Sequence, residues 1–171
     1  SPVIQTICLG HVLREAVTTP YRNLVTRPTG AAVRGRIERT MRDSGCHVAL
    51  LDFSEVELLD LSCADEIVAK LLLLSAFDSD RYVVLWGLHE DQVDAIDHVL
   101  NHHRLAVAAR TTESTTLGVL GALDPDGRSA FACVADRGPL EAGRVAEALA
   151  WAEERAVRTL RALAARRLVR A

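Results

Sequence analysis

Two uninterrupted apolar runs constrain this chain more than any other feature. "HVALLDF" (47–53) and "RYVVLWGL" (81–88) show no regular alternation of apolar and polar residues. A strand with one face in water alternates, whereas a strand covered on both faces does not. Between the two runs, Ala64, Ile67, Val68, Leu71, Leu72 and Ser75 recur at helical spacing over about 63–76. Covered strand, amphipathic helix, covered strand is the unit of a parallel sheet joined by right-handed crossovers.

The alternation extends in both directions. "VIQTICL" (3–9) and "YRNLVT" (21–26) read as strands, with the turn signal "TTP" at 18–20 between them. Thr29 suits the N-cap of a helix over about 30–42, in which Val33, Ile37 and Met41 share a face before Ser44-Gly45 ends it. Beyond the second covered strand, a helix over 90–103 turns Val93, Ile96 and Leu100 inward, and "RLAVAAR" (104–110) is the next strand. The expected fold class is α/β: a mixed sheet with amphipathic helices over residues 1–113. Periodicity alone leaves open whether the helices cover one face or both.

After "TTESTT" the pattern changes, and a second unit is expected over 114–171. "LGVLGAL" (117–123) reads as a strand. Asp124 then suits an N-cap with Pro125 at the first helical position, and Ala130, Phe131 and Val134 line one face. A hairpin turning at "DPDG" is the rival reading. A second helix over 140–149 turns Val145, Ala146 and Leu149 inward. A tight turn at Ala150-Trp151 leads to a third over 152–168, with Val157, Leu160, Ala164 and Leu168 in one stripe and Arg155 and Arg166 opposite. The three helices make a small module with a tight turn between the last two.

Charge separates the two units. Residues 137–171 hold eight arginines against four glutamates, while residues 1–136 hold twelve basic against nineteen acidic side chains. An acidic body with a basic tail suggests a tail that meets an acidic partner, although a solvated helix face gives the same count. Cys8, Cys46, Cys63 and Cys133 are scattered without metal-ligand spacing, so neither a disulfide framework nor a zinc site is expected. No apolar run is long enough to span a bilayer and no secretory signal is seen. A cytoplasmic protein without a membrane partner is the expectation.

"LVTRPTGAAVRGRIE" (24–38) and "LDFSEVELLDLSCADEIVAKLL" (51–72) resemble the STAS-like group of bacterial regulatory domains, relatives of the anti-sigma-factor antagonists. The shared features are a Thr-Gly that opens an Arg-bearing helix, the "LDFSxV" strand exit and the "SxADE" helix start, over roughly residues 1–112. "RGPLEAGRVAEALAWAEERAVRTLRALAARRLV" (137–169) is similar to the helical half of winged helix-turn-helix modules. Together these resemblances imply a bacterial regulatory protein: a STAS-like domain that senses a partner or ligand, coupled to a helix-turn-helix that acts in transcription. In the antagonists, a serine at this helix start is phosphorylated by a partner kinase. The resemblance places Ser62 on that phosphoacceptor and Asp60 on the acidic residue before it. Implied partners are a kinase, an anti-sigma-like protein, a second copy of the chain in a homodimer, or DNA.

The residues also admit readings of their own. Ser62 suits an N-cap with Asp65 three residues on, and Asp65 and Glu66 already use the positive helix end that a phosphate would need. Asp60, Asp65 and Glu66 form a candidate partner-binding surface or the mouth of a small-ligand or nucleotide sensor. A hard-cation site would need about six oxygen ligands and a dedicated loop, and no metal is expected. Arg27, Thr29, Gly30 and Arg34 surround another helix start, where an anion or the facing carboxylates could be held. If the two helix starts lie side by side, Arg34 pairs with Asp65 or Glu66 as a structural contact. His98, His102 and His103 cluster at a helix end without the spacing of a zinc site. Cys63 sits where a helix start lowers a thiol pKa. Arg155, Arg158, Arg161, Arg166 and Arg167 are candidate phosphate contacts to DNA, while Glu153 and Glu154 oppose them. No catalytic motif and no cofactor signature is present, so an enzyme is not expected.

Overall fold

The computed structural model describes residues 3–17, 22–75 and 81–170. The strands are β1 (Ile4–Cys8), β2 (Asn23–Leu24), β3 (Val48–Asp52), β4 (Leu58–Leu59), β5 (Tyr82–Leu88), β6 (Ala106–Thr111) and β7 (Gly118–Gly121). Among the described residues there are seven helices: α1 (Leu9–Ala16), α2 (Arg27–Ser44), α3 (residues 61–75), α4 (Glu90–His102), α5 (Pro125–Arg137), α6 (Ala142–Leu149) and α7 (Glu153–Ala165). The fold is mixed α/β around a five-stranded sheet of order β1-β3-β5-β6-β7. Every pairing in it is parallel except β6 with β7. No helix among the described residues is long and apolar enough to cross a membrane.

The strand order advances one way, from β1 through β3 and β5 to β6, so right-handed crossovers put every connecting helix on the same face. One core accordingly joins α1, α2, α3 and α4, through Leu13, Ile37, Ile67 and Leu100, to Ala49, Leu51, Val83 and Leu85 of the sheet. The opposite face is covered from elsewhere. Phe131, Val145, Ala156 and Leu163 of α5–α7 share a second core with Ala108, and Val84, Ala106 and Val119 pack against it. Both faces are therefore covered, by different parts of the chain, and β5 reads as a continuous apolar run for that reason. The boundary expected after residue 113 falls between two paired strands. Ala106–Ala109 lie opposite Gly118–Gly121, so the sheet continues past that boundary and the last helices rest on it.

Several local expectations are revised. The strand expected over 3–9 stops at Cys8 and leads straight into α1, which was not anticipated. The turn at 18–20 lies outside the described residues. The strand expected over 21–26 shrinks to Asn23–Leu24, paired in parallel with Leu58–Leu59. Helix α2 begins at Arg27 rather than residue 30, with Pro28 in its first turn, where a missing N–H costs nothing. Thr29 is thus inside the helix and is not its cap. Asp124 does cap α5, accepting the Gly127 N–H at 2.8 Å, so the helix and not the hairpin follows β7. On α7 the buried residues are Ala156, Thr159 and Leu163, one position from the expected stripe, and Val157, Leu160 and Ala164 are half-exposed. Small side chains at 156 and 159 let α7 approach its neighbours closely, a feature that counting large apolar residues overlooks.

Candidate functional site

The two helix starts singled out in the sequence do lie side by side. Their contact depends on Gly30: a Cβ there would stand 2.9 Å from Glu66 Cβ and 3.2 Å from Cys63 Sγ. Only glycine lets the α2 backbone come this close to α3. Thr26, just before α2, has φ 70°, which is a rare conformation for a β-branched residue. Asp60 helps hold it there, because Asp60 Oδ2 accepts the Thr26 N–H at 3.1 Å.

Asp60 also serves the second helix. Its Oδ1 accepts the Cys63 N–H at 2.7 Å and the Ser62 hydroxyl at 2.8 Å. The cap of α3 is therefore Asp60 and not Ser62, and the helix starts at Leu61. Burial pushes the Asp60 carboxyl up, but the bonds from Cys63, Thr26 and Ser62 outweigh it and hold the group below the usual carboxylate range. The junction thus contains its own anion. A phosphate on Ser62 would set a second anion against Asp60 and break the hydroxyl's bond to it.

One turn further on, α3 widens into a π turn over Asp65–Ala69, a distortion frequent at functional sites. Glu66 lies inside it with 5% of its side chain exposed. Its carboxylate meets Arg34 Nη1 at 2.7 Å, Arg27 Nη1 at 2.9 Å and Lys70 Nζ at 2.8 and 3.0 Å. Arg34 also donates to the Glu66 carbonyl at 2.9 Å. Its Nε is 3.2 Å from Glu38 Oε1, near enough for an ion pair but out of line for a hydrogen bond. Asp65 accepts from Arg27 at 2.7 Å and meets His103 Nε2 at 2.6 Å. Burial raises the Glu66 pKa, yet Lys70, Arg34 and Arg27 bring it down to about 2. Asp65 is likewise low: burial opposes, and the bonds from Arg27 and His103 prevail.

Of the expected mouth residues, Arg27, Gly30, Arg34, Asp60, Asp65 and Glu66 are brought together, and Ser62 joins through Asp60. Thr29 stands apart, with its hydroxyl 3.2 Å from that of Thr26. Lys70 was missed, although its position four residues after Glu66 is a standard helical ion-pair spacing. His103 was noted only as part of a histidine cluster. Three cations here meet Glu38, Asp65 and Glu66, so these three carboxylates are engaged within the fold. The expected lowering of the Cys63 thiol pKa is reversed. The side chain is fully buried and beside Asp60, and its pKa rises to about 12.

The C-terminal arginines separate into different roles. Arg155 makes a bidentate pair with Asp126 at 2.9 and 2.6 Å and stacks 4.3 Å over the Trp151 ring. Arg166 and Arg167 lie beyond the end of α7 and line a cavity of about 210 Å³ with Arg81 and Arg104. Arg166 donates to the Arg104 carbonyl at 3.3 Å. Arg158 and Arg161 lie on α7 and are exposed, Arg161 at the edge of a groove with Val134, Leu140 and Leu160. Helices α6 and α7 are joined by three residues, Ala150 to Ala152, with Ala150 left-handed at φ 54°. No protein-family model matches this chain, and no curated protein or solved structure matches it either.

Proposed function

We propose that the chain is a cytoplasmic, non-catalytic regulatory protein in which a STAS-like α/β body carries a helix-turn-helix output element that docks on DNA. The observation that carries this reading is the geometry of α6 and α7: two helices joined by a three-residue turn with a left-handed first residue, and Arg158 and Arg161 exposed on the second helix. The mostly parallel sheet with paired helix starts supports the STAS-like part. Contacts from these arginines reach phosphates and position the helix without reading sequence. Glu153, Glu154 and the Asp126–Arg155 pair leave the start of α7, where base contacts arise in such modules, without free positive charge. Weak, salt-sensitive binding to duplexes of any sequence follows.

Fluorescence anisotropy of a labelled mixed-sequence duplex at low and at moderate salt tests this. Binding that weakens steeply with salt supports the reading, and no binding at low salt overturns it. A phosphorylation switch at Ser62 receives less support, because Asp60 already occupies the junction. A nucleotide sensor at the acidic mouth also receives less, because its carboxylates are paired and the sheet has no reversal of strand order to open a ligand crevice.

A further inference from the structure

We propose that the groove between the end of α5, the loop before α6 and the second half of α7 is the docking site for an acidic amphipathic helix of a partner protein. The groove encloses about 620 Å³. Its floor is Val134, Leu140, Leu160, Ala164 and Val169, all half-exposed and, apart from Ala164, packed at the edge of the second core. Aliphatic side chains from α5, the loop before α6, α7 and the residues after it therefore face one hollow that no described residue covers. A groove of this kind receives the apolar stripe of a helix, with anchors at i, i+3, i+4 and i+7. A phosphate backbone has no use for such a floor.

The rim fixes the sign of the occupant. Arg161 and Arg170 line the groove with a single acid, Glu141. Arg137 lies beside Leu140 in an adjoining hollow. None of these three arginines has a carboxylate partner among the described residues, whereas Arg14, Arg27, Arg34, Arg36 and Arg155 are each paired. Unpaired positive charge around an apolar floor is complementary to a helix with leucines on one side and glutamates beside them. This goes beyond DNA docking, in which Arg161 would share the rim and Arg158 acts from outside the groove.

The test uses the whole chain and a fluorescein-labelled peptide with leucines at i, i+3, i+4 and i+7 and glutamates elsewhere. One control peptide scrambles the leucines around the helix, and another replaces glutamate by lysine. Saturable binding is expected, with both controls weaker by about tenfold or more. Ala164→Glu and the double variant Arg161→Glu, Arg170→Glu should each weaken the peptide by a similar factor, with unchanged circular dichroism. Leu140→Glu, in the loop, serves if Ala164→Glu disturbs folding. Arg158→Ala should weaken the duplex and leave the peptide unaffected, which separates failure of this proposal from failure of the DNA reading. No saturation up to about 1 mM peptide, where the binding free energy would be only about −4 kcal/mol, overturns the proposal. So does equal binding of the controls, indifference to the groove variants, or a self-association that Leu140→Glu abolishes.

Discussion

Around Glu66, Arg27, Arg34 and Lys70 meet Glu38, Asp65 and the buried Glu66 carboxylate. Beside α7, Arg137, Arg161 and Arg170 stand exposed with no carboxylate partner among the described residues. Both regions look similar in the sequence, as charged residues scattered along helices. The difference teaches that density of charge does not mark a site. At the α2–α3 junction the charges satisfy one another within the fold, even though it carries the more conspicuous acidic motif. Near α7 the charges have no internal partner and border apolar side chains, so an external partner is what could satisfy them.

The contrast can be broken most forcefully at its buried centre. Glu66→Ala should destabilise by about 2–3 kcal/mol, because the mostly buried Arg34 loses its main acceptor while the half-exposed Arg27 and Lys70 are left to water. Urea denaturation would measure it, and a loss under about 1 kcal/mol would make the junction an ordinary surface cluster. The pH dependence sharpens the point. The folded pKa of Glu66 is about 2 against an ordinary 4.5, so the folded state binds fewer protons than the unfolded chain within that window. The stabilisation is fully present above about pH 4.5 and is lost as pH falls toward 2. Stability curves of the wild type and Glu66→Ala should therefore converge on acidification.

Gly30→Ala is expected to cost about 1–3 kcal/mol by driving a methyl into Glu66 and Cys63. Unchanged stability would mean that the two helices can separate freely. Asp60→Ala should cost about 1 kcal/mol through the lost cap, with Asp60→Asn retaining most of it. The mildest change lies at the other pole. Arg161→Ala should alter stability by less than about 0.5 kcal/mol, while lowering the salt slope of duplex binding by about 1 if that arginine contacts phosphate. A large stability change there would show that Arg161 is structural after all.

How far the sequence could be read depended on the range of the forces involved. β3, β5, α4 and the Asp124–Pro125 helix start were legible because apolar periodicity and caps are local signals. Helix α1 was not, since Cys8 is no capping residue and the preceding apolar run continues into Leu9. The early start of α2 was hidden because a residue before proline is ordinarily driven out of helical geometry, and Arg27 adopts it regardless. The pairing of Arg34 with Glu66 was foreseen on the condition that the helix starts adjoin. His103 and the strained Thr26 were not, since they depend on how three helices meet, whereas Lys70 was legible in its spacing from Glu66. Nothing local announced the π turn. Likewise, only tertiary packing could decide that Arg155 would be consumed by Asp126 while Arg161 stayed exposed.

The antiparallel pairing of β7 with β6 has a consequence for how this chain can be cut or recombined. A break after residue 113 would strip β6 of its outer neighbour and uncover Val84, Ala106 and Ala108. The shortened body would present a bare strand edge beside a greasy surface, the combination that invites aggregation. The detached helices would in turn carry a strand with nothing to pair to. The C-terminal helices are thus poor cargo for transplantation, and a workable excision would have to carry β6 along with them.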